Sequence, residues 1–187
     1  SSKLYADTST KLFINVDSPA AVVIDYKTGR ILYDKNASQK RPMASLTKVL
    51  TSIMLVENCK MDEMIEVPKN AAWIGNDCAY TVGEHIGGSI ENYGVMATKK
   101  AHDIGAMNTS IANPHGLDNE NHYSTAYDMA LITRYALNNK YINEAVATKS
   151  KTVNFGSFSK NLNNTNALLR SYEFADGVKT GFTNGAN

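Results

Sequence analysis

A serine and a lysine three residues apart form the first pair in this sequence that could carry chemistry. Ser45 and Lys48 stand in the tetrapeptide Ser-Leu-Thr-Lys, at the start of a segment whose apolar residues recur with helical spacing. On a helix this spacing puts both side chains on one face, one turn apart. The amine could then take the hydroxyl proton, because a serine hydroxyl needs a base to attack a carbonyl carbon. The pair therefore predicts acyl transfer, with Ser45 as nucleophile and Lys48 as base.

The Ser-x-x-Lys pattern is weak by itself, since this composition predicts roughly one copy by chance. A second copy, Ser157 to Lys160, lies in a stretch rich in glycine and asparagine, where the two side chains need not face each other. We interpret Ser157 as a loop residue.

Lys-Thr-Gly also occurs twice, at 27–29 and at 179–181. The first copy falls in a predicted hairpin turn, where a glycine can supply a positive φ. The second ends a predicted strand, where a cation beside a hydroxyl suits a carboxylate ligand. Glycine at its end would let a ligand backbone approach closely.

The elements that would position these residues follow from hydrophobic spacing and turn signals. The predicted elements are a hairpin over 20–35, a helix from 46, mixed strand and loop over 65–82 around Trp73, a helix over 89–104 interrupted at Gly94, a helix over 125–137 that opens with a capping box, strand and loop over 150–166, and a strand over 177–183. Strands at both ends with helices between them favour an α+β fold whose terminal strands meet in one sheet.

Composition excludes several classes of function. Nineteen basic residues against eighteen acidic ones give a net charge of +1, which offers no electrostatic case for nucleic acid or an anionic membrane surface. No apolar run is long enough to span a bilayer. The start at Ser-Ser-Lys fits a processed secreted protein or an engineered expression product. Cys59 and Cys78 could pair, stay free or bind a ligand, and free thiols are the favoured interpretation.

Five stretches together resemble the low-molecular-mass penicillin-binding proteins of the serine-type D-alanyl-D-alanine carboxypeptidase family. They cover nearly the whole chain in the family's order and are Pro19–Tyr33, Arg41–Lys48, Asn113–Asp118, Tyr123–Ile132 and Asp176–Gly181.

The resemblance implies a β-lactamase/transpeptidase-like fold. This fold is α+β, with an antiparallel sheet flanked by helices and a helical subdomain, and we expect it to be incomplete in this chain. Residues 1–187 would form one domain, with a sheet part at about 12–45 and 150–187 and a helical part at about 46–149.

The resemblance also implies a function: a hydrolase that trims the terminal D-alanine from peptidoglycan stem peptides through an acyl-enzyme on Ser45. Lys179 and Thr180 would hold the terminal carboxylate, and Gly181 and Phe182 would complete the substrate site. The backbone N–H groups of Ser45 and Phe182 would form the oxyanion hole. Lys48 would need a pKa of roughly 7–8, lowered by burial and by the nearby cation Lys179.

No metal or organic cofactor is implied. The expected partners are stem peptides ending in D-Ala-D-Ala and β-lactam antibiotics, with no nucleic acid. The expected location is the extracytoplasmic bacterial cell envelope, secreted or held at the membrane only through an anchor outside this chain.

The sequence departs from the family at its third motif, Ser-x-Asn, whose serine relays protons and whose asparagine holds the substrate's amide. Ser159–Asn161 has the pattern but lies in the wrong region. Gly75–Asp77 looks like the tail of the motif, with Ile74 in the serine's place, and neither stretch is assigned. We expect instead that a segment carrying the motif is missing after Ile86, and another segment after Asn187.

Three alternatives remain open. A class A β-lactamase shares both main motifs and adds a glutamate, and Glu66 with Asn70 has a similar spacing but follows Ser45 too closely. A non-catalytic domain that binds peptidoglycan or senses β-lactams would explain the missing serine. A histidine-based metal site or triad could involve His115, Asp118 and His122, although these residues lack paired ligand spacing.

Overall fold

The computed structural model describes residues 16–67, 74–154 and 159–186. Its elements in chain order are β1 (Ala21–Ile24), β2 (Ile31–Lys35), α1 (Thr47–Asn58), α2 (Ile74–Gly87), α3 (Ile90–Ile104), α4 (Ala126–Ala136), α5 (Lys140–Ala147), β3 (Ser150–Asn154), β4 (Ser159–Asn163) and α6 (Leu168–Ser171). Within these ranges no helix has both the length and the apolar composition needed to cross a bilayer.

The amino-terminal hairpin forms as predicted. Strands β1 and β2 pair antiparallel, with Ala21 opposite Lys35. In the turn, the Asp25 carboxylate accepts a hydrogen bond of 2.8 Å from the Thr28 backbone N–H. Gly29 has a φ of 76°, a conformation that glycine adopts without steric cost. The first Lys-Thr-Gly sequence is therefore part of this turn.

Helix α4 carries the predicted cap and anchors the hairpin. The Thr125 hydroxyl accepts a hydrogen bond of 3.0 Å from the Asp128 backbone N–H, as in a capping box. At the other end of the helix, the Arg134 guanidinium donates to the carbonyl oxygens of Tyr26 at 2.6 Å and Lys27 at 2.7 Å. These bonds tie the hairpin turn to the helical part of the molecule.

The core lies among helices α1, α3, α4 and α5. Its buried residues are Met43, Val49, Leu50, Ile53, Met54, Tyr93, Ala97, Ala101, Ala106, Ile111, Ile132, Ala136 and Ile142. Helix α3 continues through Gly94, where the sequence predicts an interruption. A Cβ at Gly94 would lie 2.7 Å from the Ile111 carbonyl oxygen, so this glycine allows the 111 segment to pack directly on the helix.

Helix α2 differs from one prediction. The mixed strand and loop expected over 65–82 is helical from Ile74, and Trp73 lies outside the described residues. Ile86 and Gly87 belong to this same helix, and the missing segment expected after Ile86 stays a prediction. A Cβ at Gly87 would lie only 2.6 Å from the Tyr93 backbone nitrogen, so Gly87 permits a tight junction between two consecutive helices.

The α+β class is confirmed, with antiparallel strand pairs beside a helical part. The described strands form two separate two-stranded sheets, β1–β2 and β3–β4, and the 177–183 segment forms no strand among them. Val178 instead lines an apolar groove of about 390 Å³ together with Val22 and Ile24 of β1. The described residues therefore do not form the single sheet of terminal strands that the sequence predicts.

Candidate active site

A single turn before α1 presents Ser45. Residues Ala44–Leu46 form a 3₁₀ turn, and Ala44 has a φ of 47°, which is uncommon for a residue with a side chain. A Cβ at Gly116 would lie 1.9 Å from the Ala44 carbonyl oxygen, so only glycine fits against this turn. The Thr47 hydroxyl also donates to the Ala44 carbonyl, at 2.8 Å. The backbone at the nucleophile is therefore held from two sides.

The Lys48 amine lies in direct contact with the Ser45 hydroxyl. Its Nζ is 3.0 Å from Ser45 Oγ, 2.7 Å from Asn76 Oδ1 and 2.5 Å from the His115 carbonyl oxygen. A neutral amine has two N–H donors and one lone pair. Because an amide oxygen and a backbone carbonyl can only accept, the two donors are occupied and the lone pair is left for the serine O–H. This arrangement suits proton transfer from Ser45 to Lys48.

Burial, and to a smaller extent the positive charge of Lys179, lower the pKa of Lys48 to about 8. Both effects disfavour the charged ammonium, so the neutral amine becomes more populated. Relative to an ordinary lysine, the shift raises the neutral fraction by about 300-fold near neutral pH. The lowered pKa expected for a base at this position is present, and its two causes are the expected ones.

Asn76 is the site residue that sequence reasoning did not assign. It lies near the start of α2, two residues after Ile74, and its side chain reaches Lys48 from a neighbouring helix. The signal was the Gly75–Asp77 stretch, which matches the tail of the third family motif. In the sequence, Ile74 in the serine's place speaks against assigning this stretch to the motif. The structure brings the Asn76 side chain to Lys48.

The 179–182 segment contacts Ser45 at Gly181. A Cβ at Gly181 would lie 3.1 Å from the Ser45 backbone nitrogen, so the two backbones are in close contact. Lys179 is half-buried, and burial lowers the pKa of its amine, which donates to the Thr180 carbonyl at 2.5 Å. The Thr180 hydroxyl bonds to Thr165 Oγ1 at 2.7 Å.

Beyond Gly181 the segment is anchored by Asp118. The Asp118 carboxylate accepts from the Thr183 hydroxyl at 2.6 Å and from the Gly185 backbone N–H at 3.1 Å. Phe182 lies between Gly181 and Thr183 in the chain, and this residue is 73% exposed. Gly181 therefore lies against Ser45 and Lys179 lies near enough to Lys48 to affect its pKa, whereas Phe182 is exposed.

The competing motif copies lie elsewhere. Ser159–Asn161 belongs to β4, where the Ser159 hydroxyl donates to Asn154 Oδ1 at 2.6 Å. Ser157 lies outside the described residues, and Lys160 is an exposed residue of β4. Of the β-lactamase-like pair, Glu66 is exposed and Asn70 is outside the described residues.

His115 and His122, which lie near the site, are held by contacts with neighbouring groups. His122 Nδ1 accepts from the Ala112 backbone N–H at 3.0 Å, so Nε2 carries the proton and donates to Thr47 Oγ1 at 2.7 Å. Burial lowers the pKa of His122 to about 4. The His115 ring stacks on Tyr80 with centroids 6.3 Å apart. His122 therefore supports the turn before Ser45 through Thr47.

Comparison with known proteins identifies the family to which this geometry belongs. The sequence profile of peptidase S11, D-alanyl-D-alanine carboxypeptidase, matches residues 6–75 and 70–187. The two matched ranges overlap at residues 70–75.

Curated relatives and solved structures give the same result. The chain is 32% identical to D-alanyl-D-alanine carboxypeptidase DacF of Bacillus subtilis, over 89% of this chain and 51% of that protein. It is 30% identical to DacC of Escherichia coli, over 92% of this chain and 52% of that protein. The crystal structure of DacD from Francisella tularensis superposes with a TM-score of 0.81 at 26% identity, over 92% of this chain and 61% of that one.

The ampicillin-bound penicillin-binding protein D2 of Listeria monocytogenes superposes with a TM-score of 0.78 at 25% identity, over 89% of this chain and 80% of that one. The chain spans about half the length of the curated relatives it matches. Since the family profile matches nearly the whole chain, this protein belongs to the peptidase S11 family of D-alanyl-D-alanine carboxypeptidases.

Proposed function

We propose that this protein is a serine-type D-alanyl-D-alanine carboxypeptidase that is also acylated by β-lactams. The observation that carries the proposal is the 3.0 Å contact between Ser45 Oγ and a Lys48 amine whose two other neighbours are hydrogen-bond acceptors. Membership of the peptidase S11 family supports the same reaction and substrate class.

In the acylation step, Ser45 Oγ attacks the carbonyl carbon between the two terminal D-alanines, and Lys48 takes the hydroxyl proton. The backbone N–H groups of Ser45 and Phe182 stabilise the tetrahedral oxyanion. The C–N bond then breaks, the proton passes to the leaving amine, and D-alanine departs. Water hydrolyses the ester in the second step and restores the Ser45 hydroxyl.

Lys179 and Thr180 bind the substrate's terminal carboxylate in this proposal. A cation beside a hydroxyl offers a charge-assisted hydrogen bond together with a neutral one. In the structure, the Lys179 amine donates to the Thr180 carbonyl and the Thr180 hydroxyl bonds to Thr165. A bound carboxylate would replace these two hydrogen bonds with stronger ones.

The proposed setting is the bacterial cell envelope outside the cytoplasm, where stem peptides ending in D-Ala-D-Ala are present. Any hold on the membrane would come from an anchor outside this chain. The proposed substrates require no metal or organic cofactor, because Lys48 supplies the base and backbone N–H groups supply the electrostatic stabilisation.

The decisive experiment is covalent labelling with benzylpenicillin, followed by intact mass and by measurement of D-alanine released from a peptide ending in D-Ala-D-Ala. The wild-type protein should gain one benzylpenicilloyl adduct and release D-alanine. Ser45→Ala should do neither, while Ser157→Ala in the other Ser-x-x-Lys sequence should behave as wild type. Labelling of Ser45→Ala at the wild-type level would refute the proposal.

The alternative is a domain that binds peptidoglycan or senses β-lactams without turnover. It rests on the resemblance of Gly75–Asp77 to the tail of the family's third motif, in which Ile74 would take the serine's place. A stable adduct on Ser45 without any D-alanine release would support this candidate over the carboxypeptidase.

A further inference from the structure

We propose that Cys59, Glu63 and His85 form a binding site for one Zn²⁺ ion, separate from the active site. One potential ligand atom from each residue lies within 4.8 Å of the other two. The three residues come from two segments of the chain. Cys59 and Glu63 lie in the stretch that directly follows α1, and His85 is in α2. Nothing in the proposed acyl transfer uses them.

The Glu63 carboxylate is already oriented for this role. Its Oε2 accepts from the Lys60 backbone N–H at 3.1 Å, and its Oε1 lies 2.6 Å from His85 Nε2. The Lys60 carbonyl in turn accepts from the Glu63 N–H at 3.1 Å, which closes the turn. The Cys59 N–H is bonded to the Leu55 carbonyl at 3.0 Å, so the backbone of this ligand is also fixed. An ion would therefore find two of its ligands on an ordered turn.

The types of ligand atom at this site favour Zn²⁺ over Mg²⁺ and Ca²⁺. A thiolate, an imidazole and a carboxylate are the three ligand types that Zn²⁺ uses in proteins. Mg²⁺ and Ca²⁺ prefer oxygen ligands alone, and a thiolate disfavours both. Tetrahedral Zn²⁺ with bonds of about 2.0–2.3 Å separates its ligand atoms by roughly 3.2–3.8 Å. The three ligand atoms lie within 4.8 Å of one another, so side-chain movements of about an ångström bring them to these separations.

Charge and protons balance at such a site. The Cys59 thiol releases its proton to solvent, and the His85 imidazole coordinates through Nε2 while Nδ1 keeps the ring proton. One thiolate and one carboxylate then neutralise the charge of the ion. The side chains of His85 and Glu63 are 40% and 33% exposed, so the ion can enter from solvent and a water can fill the fourth position.

The site would fasten two helices that carry active-site groups. Helix α1 carries Lys48 and ends next to Cys59, and helix α2 carries Asn76 and, nine residues on, His85. The Lys48–Asn76 bond joins the starts of these helices, and the Cys59–Glu63–His85 cluster joins their ends. Since the cluster is about 16 Å along α1 from Lys48, its role would be structural.

The test is a metal titration of the reduced 187-residue protein without a metal-binding tag. Co²⁺ should produce the thiolate-to-cobalt charge-transfer band and the d–d bands of a tetrahedral site, and calorimetry with Zn²⁺ should give one ion per chain. Cys59→Ser should remove the charge-transfer band and weaken Zn²⁺ binding at least tenfold. Glu63→Gln and His85→Gln should each weaken binding similarly, whereas Cys78→Ser should bind as wild type.

A second readout is the melting temperature, which Zn²⁺ should raise in the wild type and in Cys78→Ser but not in Cys59→Ser, because an ion bound only to the folded state stabilises it. Equal Zn²⁺ affinity of wild type and Cys59→Ser, or no stoichiometric binding at all, would overturn the proposal and leave Glu63–His85 as an ion pair. Because these readouts do not depend on acyl transfer, they are independent of the proposed function.

Discussion

The Lys48 amine contacts three oxygen atoms, and each contact bears on whether it can act as a base. Two of the oxygens can only accept hydrogen bonds, and the third belongs to the Ser45 hydroxyl. Burial and then Lys179 lower the pKa of Lys48 to about 8. These observations lead to a prediction about rate and pH.

Lys48→Arg should slow acylation by β-lactams by about 10²–10⁴-fold, because a guanidinium stays protonated and cannot accept the serine proton. In the wild type the acylation rate should rise with pH and reach half its maximum near pH 8, since the neutral form of Lys48 is the active one. Fluorescent-penicillin labelling kinetics between pH 6 and 9 measure both effects. Lys160→Arg is the matched control, and a normal rate in Lys48→Arg would mean that another group is the base.

Ile74 is the second residue-scale feature with a measurable consequence. It is the first residue of α2 and precedes Asn76 by two positions. If Asn76 is the asparagine of the family's third motif, Ile74 takes the place of its proton-relaying serine. If the carboxypeptidase proposal is right, Ile74→Ser should increase D-alanine release by about 10-fold or more, because a positioned proton relay commonly contributes at least that much. The assay is D-alanine release per acylatable protein, so that differences in folded fraction cancel. A lower rate in Ile74→Ser would show that this position is not the serine's equivalent.

At the scale of elements, close backbone contacts set how the helices and loops fit together. The clearest case is α3, where a Cβ at Gly94 would lie 2.7 Å from the Ile111 carbonyl oxygen. A Cβ at Gly75 of α2 would meet nothing within 4 Å among the described residues. These two glycines share a helical setting and differ in their surroundings.

Gly94→Ala should therefore destabilise the fold by about 1–3 kcal/mol, the usual range for overpacking. Gly75→Ala should be neutral or stabilising by up to about 1 kcal/mol, because alanine favours a helix over glycine. Urea unfolding of the two variants beside the wild type measures the difference. Equal effects of the two substitutions would mean that α3 does not approach the 111 segment as closely as described.

At the scale of the whole molecule, His122 links α1, the turn before Ser45 and the 111–124 region. Its ring accepts from the Ala112 N–H and donates to Thr47, while its relative exposure is only 2%. Burial is the largest cause of its lowered pKa, followed by the nearby His115, and Asp118 opposes them. A proton on Nδ1 would break the bond from Ala112, so protonation and folding are coupled.

The pKa of His122 is about 4 in the folded protein against an ordinary value of 6.5. The unfolded chain thus binds this proton more readily, and stability falls as the pH drops from about 6.5 to about 4. Across this window the shift of the His122 pKa lowers the free energy of unfolding by about 3 kcal/mol. His122→Gln, which cannot titrate, should flatten the dependence of the unfolding free energy on pH in this window. Urea unfolding at pH 7.5 and pH 5 tests this, and an unchanged slope would assign the pH dependence to other groups.

The sequence alone predicted the contact between Ser45 and Lys48 and most of the elements. Ser45 and Lys48 were predictable because the residue types and helical spacing together specify a nucleophile and a base on one face. The β1–β2 hairpin and the Thr125 cap were predictable because their signals are local, in Gly29 and in a hydroxyl three residues before an acidic residue. The α+β class followed from the order of these elements.

Only the tertiary structure decided which residues complete the site. Asn76 reaches Lys48 from a helix 28 residues away in the sequence, and the His115 carbonyl is 67 residues away, so no local pattern reports either contact. The glycine at 94 was misinterpreted for the same reason. In a sequence a glycine signals a break, but here it gives room to the backbone of a separate segment. Contacts between distant segments depend on how the helices pack, and packing is the part of the fold that spacing along a single segment cannot specify.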